Sequence, residues 1–221
     1  MPYVDRAEAA RKLAKRLAHL KGSKPLVLAI PRGAVPMARI IADELDGDID
    51  VVLVRKLGAP GNPELAIGAI DESGWAYIAP HAAAARADAA YIEREKTRQL
   101  GILRGRRAQY TPVRPPLDPG GRVVVVIDDG LATGATMIAG LHALRAKRPA
   151  RLICAVPVAP AETLDEVRGY ADEVMCLEVP EAFYAVGQFY ASFPQVDDQE
   201  VIDILRGRPG KERESRSNQT A

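Results

Sequence analysis

Apolar residues along the chain follow two alternating rhythms. Leu13, Leu17 and Leu20 recur on one helical face behind Asp5 and Glu8, which are spaced like a capping box, and Gly22 closes that helix. PLVLAI (Pro25 to Ile30) is apolar throughout, as a strand buried on both faces is. PRGAVPMARIIADEL follows, a tight loop and then a helix that Pro36 opens at its first position. IDVVLV (Ile49 to Val54) predicts a second buried strand, running into the Gly- and Pro-rich loop RKLGAPGNPELA.

AIGAIDESGWAYIA predicts two short strands around a turn at Glu72 to Gly74. From about Ala82 to Tyr110 the chain turns helical and charged, and a Pro-rich linker spans Pro112 to Pro119. A strand over Arg122 to Ile127, helix 134–147, strand RLICAVPVA, helix 161–169 and strand EVMCLEV complete the order. That alternation predicts an α/β fold, a mainly parallel central sheet with helices on both faces. One domain over residues 1–206 is expected, and the polar tail 207–221 (GRPGKERESRSNQTA) reads as disordered.

Composition narrows the class. Apolar residues make up 48% of 221 and charged residues 27%, divided almost evenly between signs, which is enough to bury a globular core. A net charge of +1 gives no electrostatic case for binding nucleic acid or an anionic membrane as a whole. Cys154 and Cys176 fit no CxxC or zinc spacing and read as buried reduced thiols. No apolar run approaches the ~18 residues of a membrane span, and MPYVDRAEAA is not a secretory leader, so a cytoplasmic location is expected. EREKTRQLGILRGRR is locally basic; RNA contact is one reading and an ion-paired helix face the other. The interleaved Glu93 and Glu95 favour the second, so nucleic acid is not an expected partner.

The chemistry concentrates in VVVVIDDGLATGATM, Val123 to Met137. An apolar strand ends in Asp128 and Asp129, then enters a small-residue loop that opens a helix. Ligands of open α/β sheets bind beyond the carboxyl ends of the strands. Free N–H groups at the helix start, with Thr133 and Thr136 hydroxyls, suit a phosphate. Adjacent carboxylates would repel phosphate but accept hydrogen bonds from a diol, or hold a divalent cation through water. Ribose 5-phosphate satisfies both halves. A Walker B reading needs a P-loop, and no GxxxxGK[ST] occurs; acids that merely cap the helix are the bland reading.

VVVVIDDGLATGAT resembles the phosphoribosyl pyrophosphate (PRPP) motif of type I phosphoribosyltransferases, although Gly130 stands where an aliphatic or Ser is more usual. The likeness extends over roughly Leu26 to Leu205. RKLGAPGNPELAIGAI, DDGLATGAT and AVGQFY resemble in particular a bacterial group of such proteins without an assigned reaction.

The resemblance implies that Asp128 and Asp129 bind the ribose hydroxyls and, through ribose or water, the metal. It implies that Ala132, Thr133, Gly134, Ala135 and Thr136 cradle the 5-phosphate. Arg32 and Gly33 correspond to the pyrophosphate loop, with a non-proline cis peptide expected at Arg32–Gly33. Arg55 and Lys56, at the end of the second strand, are expected to face the pyrophosphate, and residues 58–65 to form a mobile cover that carries Glu64 but no lysine.

The implied reaction is a glycosyltransferase (pentosyltransferase) reaction of nucleotide salvage. Mg²⁺ serves as cofactor, and a nitrogen heterocycle displaces pyrophosphate from the anomeric carbon. Positioning and charge neutralisation carry such catalysis, and no general base is obligatory; His19, His81 and His142 read as helix-surface residues. Hood elements near 82–118 and 180–206 are expected to bind the acceptor, with Phe183, Tyr184, Phe189 and Tyr190 available to stack on a base or to fill core. A homodimer is expected by the same likeness. The readings of a different class are a non-catalytic PRPP- or nucleotide-binding regulator and a phosphoribosyl-binding hydrolase.

Overall fold

The computed structural model describes residues 3–207, so nearly all of the tail expected to be disordered lies outside the described residues. Helix α1 (Arg6–Arg16) starts as its sequence dictates: the Asp5 carboxylate accepts the Glu8 N–H at 2.8 Å. The Glu8 side chain reaches back to the Val4 N–H, one residue beyond a standard capping box. Strand β1 (Leu26–Ala29) is wholly buried. Helix α2 (Val35–Glu44) takes Pro36 at its second position, where the missing N–H is still free of cost.

The expected second strand divides. Asp48–Val51 forms β2, parallel to β1, whereas Val54–Ala59 forms β3, which turns at Pro60 and Gly61 and pairs antiparallel with β4 (Asn62–Asp71). β5 (Ala76–Ile78) completes a three-stranded antiparallel sheet; its turn is held by Asp71, whose carboxylate accepts from Ser73 and Trp75. The cover expected at residues 58–65 is therefore a paired β-hairpin rather than a free loop. Arg55 and Lys56 lie within its first strand, not at the end of a parallel one.

Helix α3 (Ala89–Tyr110), strand β6 (Val123–Ile127), helix α4 (Ala135–Arg145), strand β7 (Arg151–Val158), helix α5 (Ala161–Val167), strand β8 (Glu173–Glu178) and helix α6 (Asp198–Leu205) follow. The main sheet has the order β2-β1-β6-β7-β8, every pair parallel. This is the expected α/β architecture. Strand period divides its side chains between two cores. Val27, Ala29, Val125 and Ile127 pack toward α1 and α2, and Leu26, Leu28, Val124 and Val126 toward α4 and α5.

The antiparallel sheet lies between α4 and α3. α3 buries an unusual stripe for its length: Glu95, Gln99, Leu103 and Tyr110. Lys96 pairs with Glu93 and Arg98 with Glu95 along the helix, and Arg107 pairs with Glu72 of the β4–β5 turn. Among the described residues no helix is long and apolar enough to cross a membrane.

Leu103 is the apolar anchor of α3, and Leu103→Ala is expected to cost about 2–5 kcal/mol in urea unfolding. Gly101→Ala, where a β-carbon meets nothing within 4 Å, is expected to gain roughly 0.5–1 kcal/mol in the same assay.

Candidate functional site

Strand order creates the site. From β1 the chain moves to one side through β2 and returns on the other side at β6, so the loops after β1 and β6 diverge and leave a crevice between them. Those loops carry Pro31–Gly33 and Asp128–Thr136. They stay in register because Ile30 N–H donates to the Ile127 carbonyl at 3.0 Å. The non-proline cis peptide is Pro31–Arg32, one bond earlier than expected. Gly33 is required by contact: a β-carbon there would run into Asp129 Oδ2 and lie 3.0 Å from Arg6 Nη2.

The acid pair is part-buried and closely held. Asp128 Oδ1 accepts the Asp129 N–H at 2.9 Å. Asp129 Oδ2 accepts Arg6 Nε at 2.9 Å and Nη2 at 2.8 Å. Arg6 is itself fixed from two further directions: Nη1 donates to the Pro194 carbonyl at 2.6 Å, and the guanidinium lies 3.7 Å over the Phe193 ring. Tyr190 Oη donates to the Asp129 carbonyl at 2.6 Å. Burial and the neighbouring Asp129 charge push the Asp128 carboxyl well above its usual range; the Asp129 N–H and Arg6 oppose this. Burial also raises Asp129, with the Arg6 charge pulling it back down.

Beyond the acids the backbone of residues 130–136 lines a cleft of about 220 Å³, faced by Lys56, Glu64 and Val186. Gly134 has φ +70°, the left-handed region, and opens α4 there, so the free N–H groups of the first turn border the cleft. Thr163 of α5 holds the loop from behind, its Oγ1 donating to the Ala132 carbonyl at 2.7 Å. The exceptional Gly130 has a cause: a β-carbon would lie 2.7 Å from Val186 Cγ1 and 3.0 Å from Val158 Cγ1. Val186 of AVGQFY fills the volume that a side chain at 130 would need. A larger groove of about 530 Å³ runs along α3 beside Leu103, Arg107 and Pro112, but it shares no residue with the cleft at the acid pair.

The other expected residues separate into groups. Strand alternation sends Arg55 and Lys56 to opposite faces. Lys56 Nζ reaches Glu64 Oε2 at 3.1 Å beside the 130–136 loop, while Arg55 Nε donates to Gln99 Oε1 at 2.5 Å on the α3 side. Burial, then the nearby Arg106 and Arg98 charges, lower the Arg55 pKa. Arg32 Nη1 lies 3.3 Å from Asp198 of α6.

Phe189 and Tyr190 are buried in the core and pair with Tyr3, whose N–H donates to the Phe189 carbonyl, so neither offers an open stacking face. Phe183 stacks on Phe189, and Tyr184 is 89% exposed. His19 and His81 are exposed and His142 stacks on Trp75; none touches the acids. Among the described residues no group of three or more His, Cys, Asp or Glu could hold a metal.

Arg6, Arg106 and Asp198 lie outside every motif of the sequence. One signal existed. Arg6 stands at helical spacing from Ala9, Ala10 and Leu13, and Arg106 from Leu103 and Tyr110, so each puts a cation in a buried stripe.

A helix start with free N–H groups and a carboxylate pair stand together at the switch point of a parallel sheet, where α/β scaffolds place their ligand crevices. The chain belongs to the phosphoribosyl transferase domain family, whose model matches residues 5–193. It is 42% identical over 204 residues to a Mycobacterium tuberculosis protein provisionally named a phosphoribosyl transferase, found in two strains. The match takes in 92% of this chain and 46% of that one, so the chain spans about half the length of the curated relatives it matches. The crystal structure of TT1426 from Thermus thermophilus superposes with a TM-score of 0.78 at 46% identity, covering 95% of this chain and all of that one.

Two outcomes follow from this geometry. Gly33→Ala forces the PRG loop off Asp129 and is expected to cost about 1–3 kcal/mol in chemical denaturation. Asp128 binds its proton more tightly folded than unfolded, so its ionisation costs stability as pH rises from the unfolded carboxyl pKa through the raised folded value. Asp128→Asn is therefore expected to raise Tm at pH 7, by roughly 2–4 °C per kcal/mol gained. The gain shrinks as pH falls toward about 4, the range of an unfolded Asp. A Tm difference independent of pH would contradict that assignment.

Proposed function

We propose that this protein is a phosphoribosyltransferase that takes PRPP with Mg²⁺ and transfers ribose 5-phosphate to a nitrogen heterocycle, a nucleobase or close analogue. The observation that carries the reading is the crevice at the β1/β6 switch, with the acid pair on one side and the small-residue loop 130–136 that lines the cleft on the other. In this reading the N–H groups and hydroxyls of Ala132 to Thr136 hold the 5-phosphate, and Lys56 across the cleft adds a cation. Arg6 occupies Asp129 Oδ2 and the Asp129 N–H occupies Asp128 Oδ1, which leaves the opposite oxygen of each acid to accept a ribose hydroxyl. Arg32 and Gly33 meet the pyrophosphate, and Phe183 and Tyr184 border the acceptor.

The donor set fits a metal delivered on the substrate. Mg²⁺ is held by one or two carboxylates together with phosphate oxygens and water, so a pair without a third acid suffices. Asp128 and Asp129 would hold the ion through ribose or water, and its chemistry there would be neutralisation of diphosphate charge. The protein's own contribution is position and field: the C1–O bond to pyrophosphate breaks, its electron pair leaves with the diphosphate, a C1–N bond forms on the opposite side, and the acceptor nitrogen's proton passes to solvent.

A second reading, a non-catalytic PRPP- or nucleotide-binding regulator, draws on one observation. Residues 58–65 form a paired hairpin without a lysine rather than a free cover.

Calorimetric titration of PRPP with and without Mg²⁺ tests the site. Wild type is expected to bind in a Mg²⁺-dependent manner, and Asp128→Asn/Asp129→Asn to lose at least about tenfold in affinity. Absence of binding by folded wild type overturns the proposal. Pyrophosphate release on adding purine and pyrimidine bases separates the transferase from the regulator.

A further inference from the structure

Arginines from three elements converge beside the PRG loop. Arg32 follows β1, Arg55 lies in β3 and Arg106 in α3, and the charges of Arg32 and Arg106 both act on Arg55. Arg98 is the fourth cation nearby, but Glu95 neutralises it through two hydrogen bonds of 2.8 and 2.7 Å. Arg32 Nη1 stands 3.3 Å from Asp198 Oδ2, and Arg106 Nε 3.8 Å from Asp198 Oδ1. The same Oδ1 accepts Tyr110 Oη at 2.8 Å. Arg55 hydrogen-bonds only the neutral Gln99 among the described residues. Glu95 also acts on Arg55, but its oxygens are held by Arg98 and Gln99. Asp198 is thus the carboxylate ion-paired with Arg32 and Arg106, and the arginine group keeps a net positive charge among the described residues.

Such an excess in a part-buried site is costly until an anion enters. Planar guanidinium forks match the oxygens of a diphosphate, whose charge meets the excess. Asp198 meanwhile imitates that anion. It is 39% exposed at the first turn of α6, and the helix is anchored elsewhere, by buried Val201, Ile204 and Leu205. Its carboxylate can swing away without loss of core.

We propose that Asp198 is an internal counter-ion of a diphosphate site that Arg106 of α3 completes. Diphosphate oxygens displace the carboxylate from Arg32 and Arg106, so Asp198 competes with the ligand and sets its affinity. Arg106 comes from a helix that the motif does not contain. The inference rests on the reading of the PRG loop as a pyrophosphate loop.

The test is calorimetric titration of the full chain with Mg²⁺-pyrophosphate and, separately, ribose 5-phosphate, at fixed salt. Asp198→Asn is expected to bind pyrophosphate about fivefold tighter and Arg106→Gln about tenfold weaker, with ribose 5-phosphate affinity unchanged in both. Tyr110→Phe removes the phenol that holds Asp198 and is expected to shift pyrophosphate affinity in the same direction as Asp198→Asn, which keeps the test open should that variant fail to fold. Equal pyrophosphate affinity in wild type and Arg106→Gln overturns the site, as does weaker binding by folded Asp198→Asn. Wild type that binds ribose 5-phosphate but no pyrophosphate sinks this inference and leaves the 5-phosphate cleft standing. Wild type that binds neither ligand removes both readings.

Discussion

Two neighbouring carboxylates at the end of an apolar strand oppose their own burial, and the rest of the site is built around that opposition. Desolvation and mutual repulsion both favour protonation of Asp128. A neutral pair would accept fewer hydrogen bonds. Arg6 is the counterweight, and it works because it is rigid: a carboxylate, a carbonyl and an aromatic ring fix its guanidinium on three sides. Remove that rigidity and the charge would be a mobile surface cation, worth far less to Asp129. Gly33 belongs to the same constraint, since the close approach of the PRG loop to Asp129 leaves no volume for a β-carbon.

The site is consequently assembled from distant parts of the chain. α1 supplies Arg6, the loop after β1 supplies Arg32 and Gly33, and the β3–β4 hairpin supplies Lys56. The 190–198 region supplies Tyr190, the Phe193 ring and Asp198. Each is placed by burial elsewhere, as α1 is by Ala9, Ala10 and Leu13. Packing sets the position, and the polar tip sets the charge each presents to the crevice.

What the sequence made legible follows from how local each signal is. Wholly buried strands such as LVLA, the Asp5 cap and the DDGLATGAT loop are written in consecutive residues, and each stands where it was expected. The cis bond lies one peptide earlier than the resemblance implies, at a spot where Pro31 and Gly33 both suit a tight turn. The break between β2 and β3 was not legible, because IDVVLV is apolar on both sides of the bend and periodicity carries no mark of a change of sheet. α3 hid its buried face for the opposite reason. Glu95 and Gln99 lie inside, satisfied by Arg98 and Arg55, so its stripe does not look apolar. The Arg6–Asp129 pair spans 123 positions, and no local pattern joins them.

The bridge between Tyr3 and Tyr190 gives the architecture a long-range side. α1 lies far upstream of the segment that clamps its arginine, Phe193 and Pro194. Without that segment Arg6 lacks the carbonyl and the ring that fix it, and its hold on Asp129 is that of a mobile cation. A fragment ending after α5 would keep every residue of the motif by which such proteins are recognised, yet it would lose the carbonyl and the ring that hold Arg6 against Asp129. Here the motif names the place, and α1 with the 190–194 segment supplies its counter-charge.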